Sequence, residues 1–266
     1  ADPFFEGQVG AVDVHGHYGY YVADNLTDLQ REFNSADAQT VLDRARHART
    51  QFTIVSPISG LTPVGILDVL AANEEASRIV DEHEGLLQYA IVNPLQPESY
   101  DQALDILQRP KCVGIKIHPE SHRYPIGEHG DAVFEFAAKH KAVVMTHSGD
   151  VNSHPDEFVP FADRYPETRI ILAHLGNGGA ASGSPELQVR AVQKARGDNL
   201  FIDTSSARSI LPGLLEWAVR EAGVERLLYG TDTPVYYAPM QWIRVVGTDL
   251  SEAEKRQILR ENAFAL

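Results

Sequence analysis

The stretch "CVGIKIH", residues 112–118, is a short apolar run that ends in a histidine. Similar runs recur along the chain: "VGAVDVH", "QFTIVS", "LLQYAIVN", "CVGIKIH", "AVVMTH", "RIILAH", "LFIDTS" and "RLLYGTD". Short, nearly continuous apolar runs are typical of strands that are buried on both faces of a parallel sheet. The pattern therefore predicts eight parallel strands.

Segments with helical spacing separate these runs, for example "GILDVLAANEEASRIVDEH" and "PGLLEWAVREAG". Near the end of the chain, Ser251 and Glu254 in "SEAE" predict a capping box. Strands alternating with helices indicate an α/β fold, either an open doubly wound sheet or a closed barrel. Eight strands in 266 residues favour the (β/α)8 TIM barrel, which typically has about 250 residues. No Pro/Gly/Ser-rich linker divides the sequence, so we expect a single barrel domain over residues 1–266, with residues 18–35 as a loop over its site.

The composition narrows the range of partners. A formal charge of −14 and a pI near 5.2 disfavour nucleic acid and anionic membranes. Cys112 is the single cysteine, which excludes an intrachain disulfide and a cysteine-rich metal site. No apolar run approaches the roughly 20 residues of a membrane span, and the first ten residues lack the pattern of a secretion signal. We expect a soluble cytoplasmic protein with a small-molecule substrate, and a homo-oligomer is compatible with these features.

Polar residues at the strand ends suggest a metal site, because (β/α)8 enzymes build their sites at the C-terminal ends of the strands. His15 and His17 follow the first run and share one face of a strand, since side chains alternate with a period of two. Closing the barrel brings Asp232, after the eighth run, next to them, and His147 then faces them across the mouth. Three imidazoles and one carboxylate suit zinc, with nitrogen ligands at roughly 2.0–2.1 Å, and manganese is also compatible.

Several motifs together resemble the amidohydrolase superfamily, in particular its amidohydrolase-related branch. They are "GIKIHP", "THSGD", "YPETRIILAHLGN", "LYGTDTP" and "LSEAEKRQILRENAFAL", in addition to the paired histidines of the first run. That branch contains metal-dependent hydrolases and non-oxidative decarboxylases. The resemblance implies that His15, His17, His147 and Asp232 bind the metal, and that His174 is a catalytic imidazole beside it.

The fourth run leaves the number of metal ions open. In some members of the superfamily a carbamylated lysine bridges two ions, and Lys116 is the nearest candidate here. We expect Lys116 instead to pair with a carboxylate or with the substrate, and we expect one ion per chain. His118 could replace the lysine as a ligand, contact the substrate or brace the following loop. Arg123, in the loop that follows, is a candidate substrate-binding residue.

The predicted site suits hydrolysis. A metal with an open coordination position lowers the pKa of bound water toward about 7. Asp232 is placed to accept the proton of that water and to pass it to a leaving group. His174 could orient the water or donate to the developing oxyanion. The expected reaction is hydrolysis of an amide, ester, lactone or cyclic imide.

Decarboxylation of a small carboxylic acid is the alternative on the same scaffold. It requires a protonated group for the carbon that loses CO2, a cation for the carboxylate, and an apolar wall. Arg123 and Arg208 are candidates for the cation, and Tyr18, Tyr20 and Tyr21 are candidates for the wall.

A dinucleotide-binding protein and a non-enzymatic metal-binding module are more remote alternatives. Gly176, Gly178 and Ala181 match G-x-G-x-x-A directly after a predicted strand, and Asp203 ends the next strand. The match follows the sixth strand, not the first, and His174 would then point into the pyrophosphate region.

Overall fold

The computed structural model describes residues 10–23, 26–63, 67–179 and 183–266. Within these residues, eight parallel strands form one sheet in chain order. The strands are β1 (Ala11–Tyr18), β2 (Thr50–Pro57), β3 (Leu86–Ile91), β4 (Cys112–Ile117), β5 (Val143–Thr146), β6 (Ile170–Leu172), β7 (Leu200–Asp203) and β8 (Leu227–Leu228).

The sheet closes on itself between β8 and β1. The backbone N–H of Val14 donates to the carbonyl of Tyr229 at 2.9 Å, and Gly16 forms a parallel bridge with Thr233 just beyond β8. The predicted (β/α)8 TIM barrel is therefore confirmed. Closure places the end of β8 beside the end of β1, as the metal-site prediction requires.

Helices follow the strands and cover the outside of the barrel. In the described residues they are α1 (Asp28–Phe33), α2 (Ala38–His47), α3 (Val69–Glu82), α4 (Glu98–Ile106), α5 (Pro119–His122), α6 (Ile126–His140), α7 (Val159–Arg164), α8 (Leu187–Lys194), α9 (Leu214–Ala222), α10 (Ala238–Val246), α11 (Glu252–Arg256) and α12 (Asn262–Phe264). In that part of the chain, no helix combines the length and the apolar character needed to cross a bilayer.

The helix ends follow their sequence signals. Ser251 and Glu254 form the predicted capping box at the start of α11. A second capping box joins Thr27 and Gln30 at the start of α1, within the segment predicted to be a loop. The loop prediction was therefore incomplete: Thr27 and Gln30 satisfy backbone donors reciprocally, which stabilises one short helix there.

The lower part of the barrel interior is apolar. Met145, Ile171 and Leu228 are fully buried in one cluster there, each from a different strand. On β4 the corresponding space is taken by backbone, because a Cβ on Gly114 would lie 2.3 Å from the carbonyl oxygen of Val143. The packed floor leaves the opposite, C-terminal end of the barrel as the place where a cavity can form.

Candidate metal centre

Three predicted ligands converge at the C-terminal end of the barrel. His15 and His17 come from β1, and Asp232 follows β8; we call these three residues the metal triad. The Nε2 atoms of the two histidines lie 3.1 Å apart. Asp232 Oδ1 lies 3.1 Å from His17 Nε2 and 3.7 Å from His15 Nε2. All three residues are buried.

The donor atoms of the metal triad fit a cation. His17 Nδ1 donates to the carbonyl oxygen of Ser56 at 2.8 Å, and His15 Nδ1 donates to Asp203 Oδ2 at 2.8 Å. In each neutral ring the proton is therefore on Nδ1, and the unprotonated Nε2 of His15 faces the unprotonated Nε2 of His17. Two acceptors and a carboxylate oxygen at hydrogen-bond distance repel one another unless a positive charge lies near them. Lys116 Nζ, 2.9 Å from His15 Nε2, offsets part of this repulsion, and a cation among the three atoms would offset the rest. A ligating histidine commonly donates its other N–H to a carboxylate or a carbonyl, as both rings do here.

Burial favours the neutral form of the His15 imidazole, as metal binding requires. It lowers the pKa of His15 well below the usual range, and the neighbouring Lys116 lowers it further. Burial also lowers the pKa of Lys116 to about 8, against the opposing effect of Asp232 and Asp203. Lys116 Nζ lies 2.9 Å from His15 Nε2, so its hydrogen-bond partner in the structure is this imidazole. The expected pairing of Lys116 with a carboxylate or with the substrate stays a prediction.

His147 and His174 form a second pair of rings. His147 Nδ1 lies 3.1 Å from His174 Nε2, and His147 Nε2 donates to Asp150 Oδ2 at 2.7 Å. His147 is not in the group of atoms that defines the metal triad. The role of His147 as a fourth ligand stays a prediction.

Backbone conformation sets two of the site residues apart. His174 has a φ of +73° and Asp232 a φ of +56°, which non-glycine residues adopt infrequently. Such conformations cluster at functional sites, where the surrounding contacts stabilise them. Here the backbone N–H of Asp232 donates to the carbonyl of His15 at 2.6 Å, which ties the carboxylate to the strand that carries the two histidines.

A cavity of about 830 Å³ opens above the metal triad. Its lining includes His118, His147 and His174, and the rings of His118 and His147 stack with centroids 4.2 Å apart. Arg123 is exposed and lines the same cavity. The side chain of Arg208 lies outside the described part of the structure.

An apolar wall lines part of the cavity. It consists of Tyr21, Val22, Ile58, Leu61, Val235 and Tyr236. Of the three tyrosines predicted for such a wall, Tyr21 contributes to it. Tyr18 is instead packed in the core against α2, and Tyr20 is 61% exposed.

Four polar residues that contact the site were not predicted to belong to the metal centre. Asp13 accepts hydrogen bonds from the backbone of His15 and from the hydroxyl of Thr231. Asp150 contacts His147, and Asp203 and Ser205 contact His15. The signal was present in "FIDTSS", a strand whose last interior residue is Asp203, but only the fold shows which rings these groups reach.

The local structure does not fit the dinucleotide fingerprint. Gly176 has a φ of +85° and belongs to a turn, and among the described residues the next helix begins at Leu187. The fingerprint requires a helix that opens at its glycines. Asp203 is fully buried and bonded to His15, so it is not available to a ribose. Ala181 lies outside the described residues.

Comparison of the sequence with models of known protein families identifies the family of this chain. The family model described as Amidohydrolase matches residues 12–266. No curated protein matches the sequence.

Three solved structures share the fold over nearly the whole chain. A 2,6-dihydroxybenzoate decarboxylase from Rhizobium has a TM-score of 0.73 at 15% identity, covering 97% of this chain and 98% of its own. A 5-carboxyvanillate decarboxylase from Sphingomonas paucimobilis has a TM-score of 0.74 at 13% identity, with coverages of 97% and 98%. A dihydroxybenzoic acid decarboxylase from Polaromonas sp. JS666, solved with bound manganese and the inhibitor 2-nitroresorcinol, has a TM-score of 0.72 at 16% identity, with coverages of 97% and 96%.

Proposed function

The chain belongs to the amidohydrolase family, and from that premise we propose that it is a metal-dependent, non-oxidative decarboxylase of a small hydroxy-substituted aromatic acid. The proposal reverses the order of our two expectations from the sequence, in which hydrolysis came first. The three similar structures described above are decarboxylases of aromatic acids, which supports this order. The observation that carries the proposal is the metal triad at the base of a cavity with an apolar wall.

We assign metal binding to His15, His17 and Asp232, with His147 as the proposed fourth ligand. When bound, a divalent cation would act there as a Lewis acid toward an oxygen of the substrate. Imidazole and carboxylate donors suit zinc and manganese alike. We propose one ion per chain; a measured stoichiometry of two would instead give Lys116 a bridging role.

The chain's own residues account for binding and proton transfer. Arg123 is an exposed cation at the cavity rim, so it can attract a carboxylate. Lys116 is a buried cation that contacts His15 behind the cavity lining, and it adds positive charge near the metal triad. The apolar wall favours an aromatic ring and excludes water from it. In the reaction the bond between the ring carbon and the carboxylate breaks, its electron pair stays on the carbon, and CO2 leaves. Asp232, which lines the cavity, then delivers a proton taken from solvent to that carbon.

The experiment offers the purified, metal-loaded protein a panel of hydroxybenzoates that includes 2,6-dihydroxybenzoate and 5-carboxyvanillate. We expect CO2 release and, in D2O, one deuterium at the carbon that carried the carboxylate. The same assay with Asp232→Asn should release CO2 at least about 100-fold more slowly. Turnover of lactones, esters or amides without CO2 release from any aromatic acid would refute the decarboxylase proposal.

Hydrolysis is the second candidate, favoured by the position of Asp232 Oδ1, 3.1 Å from His17 Nε2 and open to the cavity. A carboxylate at a metal centre can accept the proton of an attacking water. A matched panel of lactones, esters, amides and cyclic imides separates the two reactions.

A further inference from the structure

Asp203 and Ser205 lie behind the site, at the end of β7, where they contact two of its rings. Asp203 Oδ2 is 2.8 Å from His15 Nδ1. Ser205 Oγ is 2.8 Å from His174 Nδ1 and 3.1 Å from His15 Nδ1. Both Asp203 and Ser205 are fully buried. These contacts connect the metal triad to the second pair of rings through one short segment of chain.

The hydrogen-bond directions of this segment can be assigned from its acceptors. Asp203 Oδ1 accepts from the backbone N–H groups of His174 at 2.9 Å and Ser205 at 2.8 Å, and it also contacts the Ser205 hydroxyl. A carboxylate accepts only, so the single hydroxyl proton of Ser205 goes to Asp203. Ser205 Oγ must then accept from His174, which requires the proton of that ring to be on Nδ1.

We infer that Asp203 and Ser205 are positioning residues that fix the tautomer of His15 and His174 together. Both rings then carry their proton on Nδ1 and leave Nε2 unprotonated, facing His17 and His147 respectively. Since His147 Nε2 donates to Asp150, the facing atoms His174 Nε2 and His147 Nδ1 are both acceptors, and like the atoms of the metal triad they require a cation or an external donor from the cavity. Asp203 acts on His15 directly and on His174 through Ser205. The inference rests on the proposed metal centre but holds for decarboxylation and hydrolysis alike.

Two side chains of helix α10 bind the backbone of residues 204–206, the segment that carries Ser205. Arg244 donates to the carbonyl oxygens of Thr204 at 2.9 Å and Ser206 at 3.2 Å. Gln241 donates to the carbonyl of Ser205 at 3.3 Å and accepts from Arg244 at 2.6 Å. Three successive carbonyls are thus bound by two side chains of one helix. This bracing limits the backbone freedom of Ser205 and keeps its hydroxyl between the two rings.

His15, His174 and Asp203 also lie close enough together to be considered as a second group of metal ligands. Their facing atoms, however, are already joined at hydrogen-bond distances, with Ser205 Oγ between the two rings. A carboxylate that orients a ligating histidine from behind is a common arrangement at metal sites. The geometry therefore favours positioning over a second ion at this place.

The direct test is the tautomer of each ring in the wild-type protein. Two-bond ¹H–¹⁵N correlation spectra of the full chain, labelled at histidine and loaded with zinc, distinguish a proton on Nδ1 from one on Nε2. We expect both His15 and His174 to be protonated on Nδ1. A wild-type spectrum with the His174 proton on Nε2 overturns the inference. Because this measurement uses the wild-type protein, its result does not depend on whether any variant folds.

Variants then separate Ser205 from Asp203. In Ser205→Ala, His174 loses its acceptor, so we expect its proton to move to Nε2, where His147 Nδ1 can accept it. His15 should keep its tautomer, because Asp203 remains. Ser205→Thr retains the hydroxyl and should restore the wild-type spectrum of His174. An unchanged His174 tautomer in Ser205→Ala contradicts the role of Ser205.

Metal affinity supplies a readout that separates the two residues. Asp203→Asn should weaken zinc binding roughly 10–100-fold, measured by competition with a chelator. Ser205→Ala should leave zinc affinity within about twofold of wild type while lowering kcat about 10–100-fold. Ser153→Ala is the matched control, because Ser153 is buried and its hydroxyl has no hydrogen-bond partner among the described residues. Unchanged zinc affinity in Asp203→Asn overturns the role of Asp203, whatever reaction the enzyme performs.

Discussion

The lower and upper halves of the barrel interior use the same strands for opposite purposes. Met145, on β5, is buried in the apolar floor, and His147, two residues later and directly after the strand, lines the cavity. On β7, Phe201 belongs to the floor and Asp203 binds His15. Since side chains two residues apart share a face of the strand, a step of two residues stays on the interior face and leads from the packed floor to the cavity. The apolar cluster at the bottom of the barrel interior (the floor) should therefore determine the free energy of unfolding. The residues around the cavity at the C-terminal end (the mouth) should determine activity.

The largest expected effect is at the mouth. Asp232→Asn should reduce turnover about 10²–10⁴-fold, because the amide cannot carry the proton. The folded state should persist, since asparagine tolerates the φ of +56° at this position. The measurement is kcat at saturating metal together with the melting temperature. Asp249→Asn, at an exposed position, is the control. Near-normal turnover in Asp232→Asn would remove this residue from the mechanism.

The floor should respond in the opposite way. Ile171→Ala should lower the free energy of unfolding by about 2–5 kcal/mol, because it deletes buried methyl groups and leaves a cavity. Metal content and kcat of the folded fraction should stay unchanged. Urea unfolding measures the first effect, and Ile243→Ala, at a position 44% exposed, is the matched control. A large loss of kcat without loss of stability would break the division between floor and mouth.

Metal binding tests which rings of the mouth hold the ion. His17→Ala should weaken binding at least about 100-fold, more than is typical for an outer hydrogen-bonding partner of a metal ligand. The free energy of unfolding of the metal-free protein should change little by comparison with Ile171→Ala. Chelator competition measures the affinity, with His47→Ala, at the exposed end of α2, as control. Equal affinities for the two variants would contradict the metal triad.

The smallest effect is expected at the rim. Arg123 is exposed, so an ion pair with a substrate carboxylate is worth about 0.2–1 kcal/mol. Arg123→Ala should therefore raise KM no more than about fivefold and leave kcat unchanged. Steady-state kinetics on the carboxylate substrate, with Arg123→Lys as the charge-preserving control, measures this. A loss confined to kcat would mean that Arg123 acts on the reaction itself.

The sequence predicts the metal triad because two simple rules bring it together. Strand periodicity places His15 and His17 on one face, and barrel closure adds Asp232. No such rule relates Ser205 to His174, which are 31 positions apart and meet only through hydrogen bonds at the end of β7.

The loop segments were harder to predict for the same reason. Thr27 and Gln30 carry a local capping signal for α1, yet the position of Tyr21 in the cavity wall depends on how the segment packs. The contact of Lys116 with His15 likewise joins strands that are distant in sequence, so it was not predicted beside the expected carboxylate or substrate partner.

The central claim is that His15, His17 and Asp232 hold a catalytic metal. Elemental analysis of gently purified protein, wild type beside His17→Ala and each with its activity, tests it most directly. We predict one divalent transition-metal ion per wild-type chain, lost together with activity on chelation and absent from the variant. A wild-type chain that is fully active without metal would contradict the account.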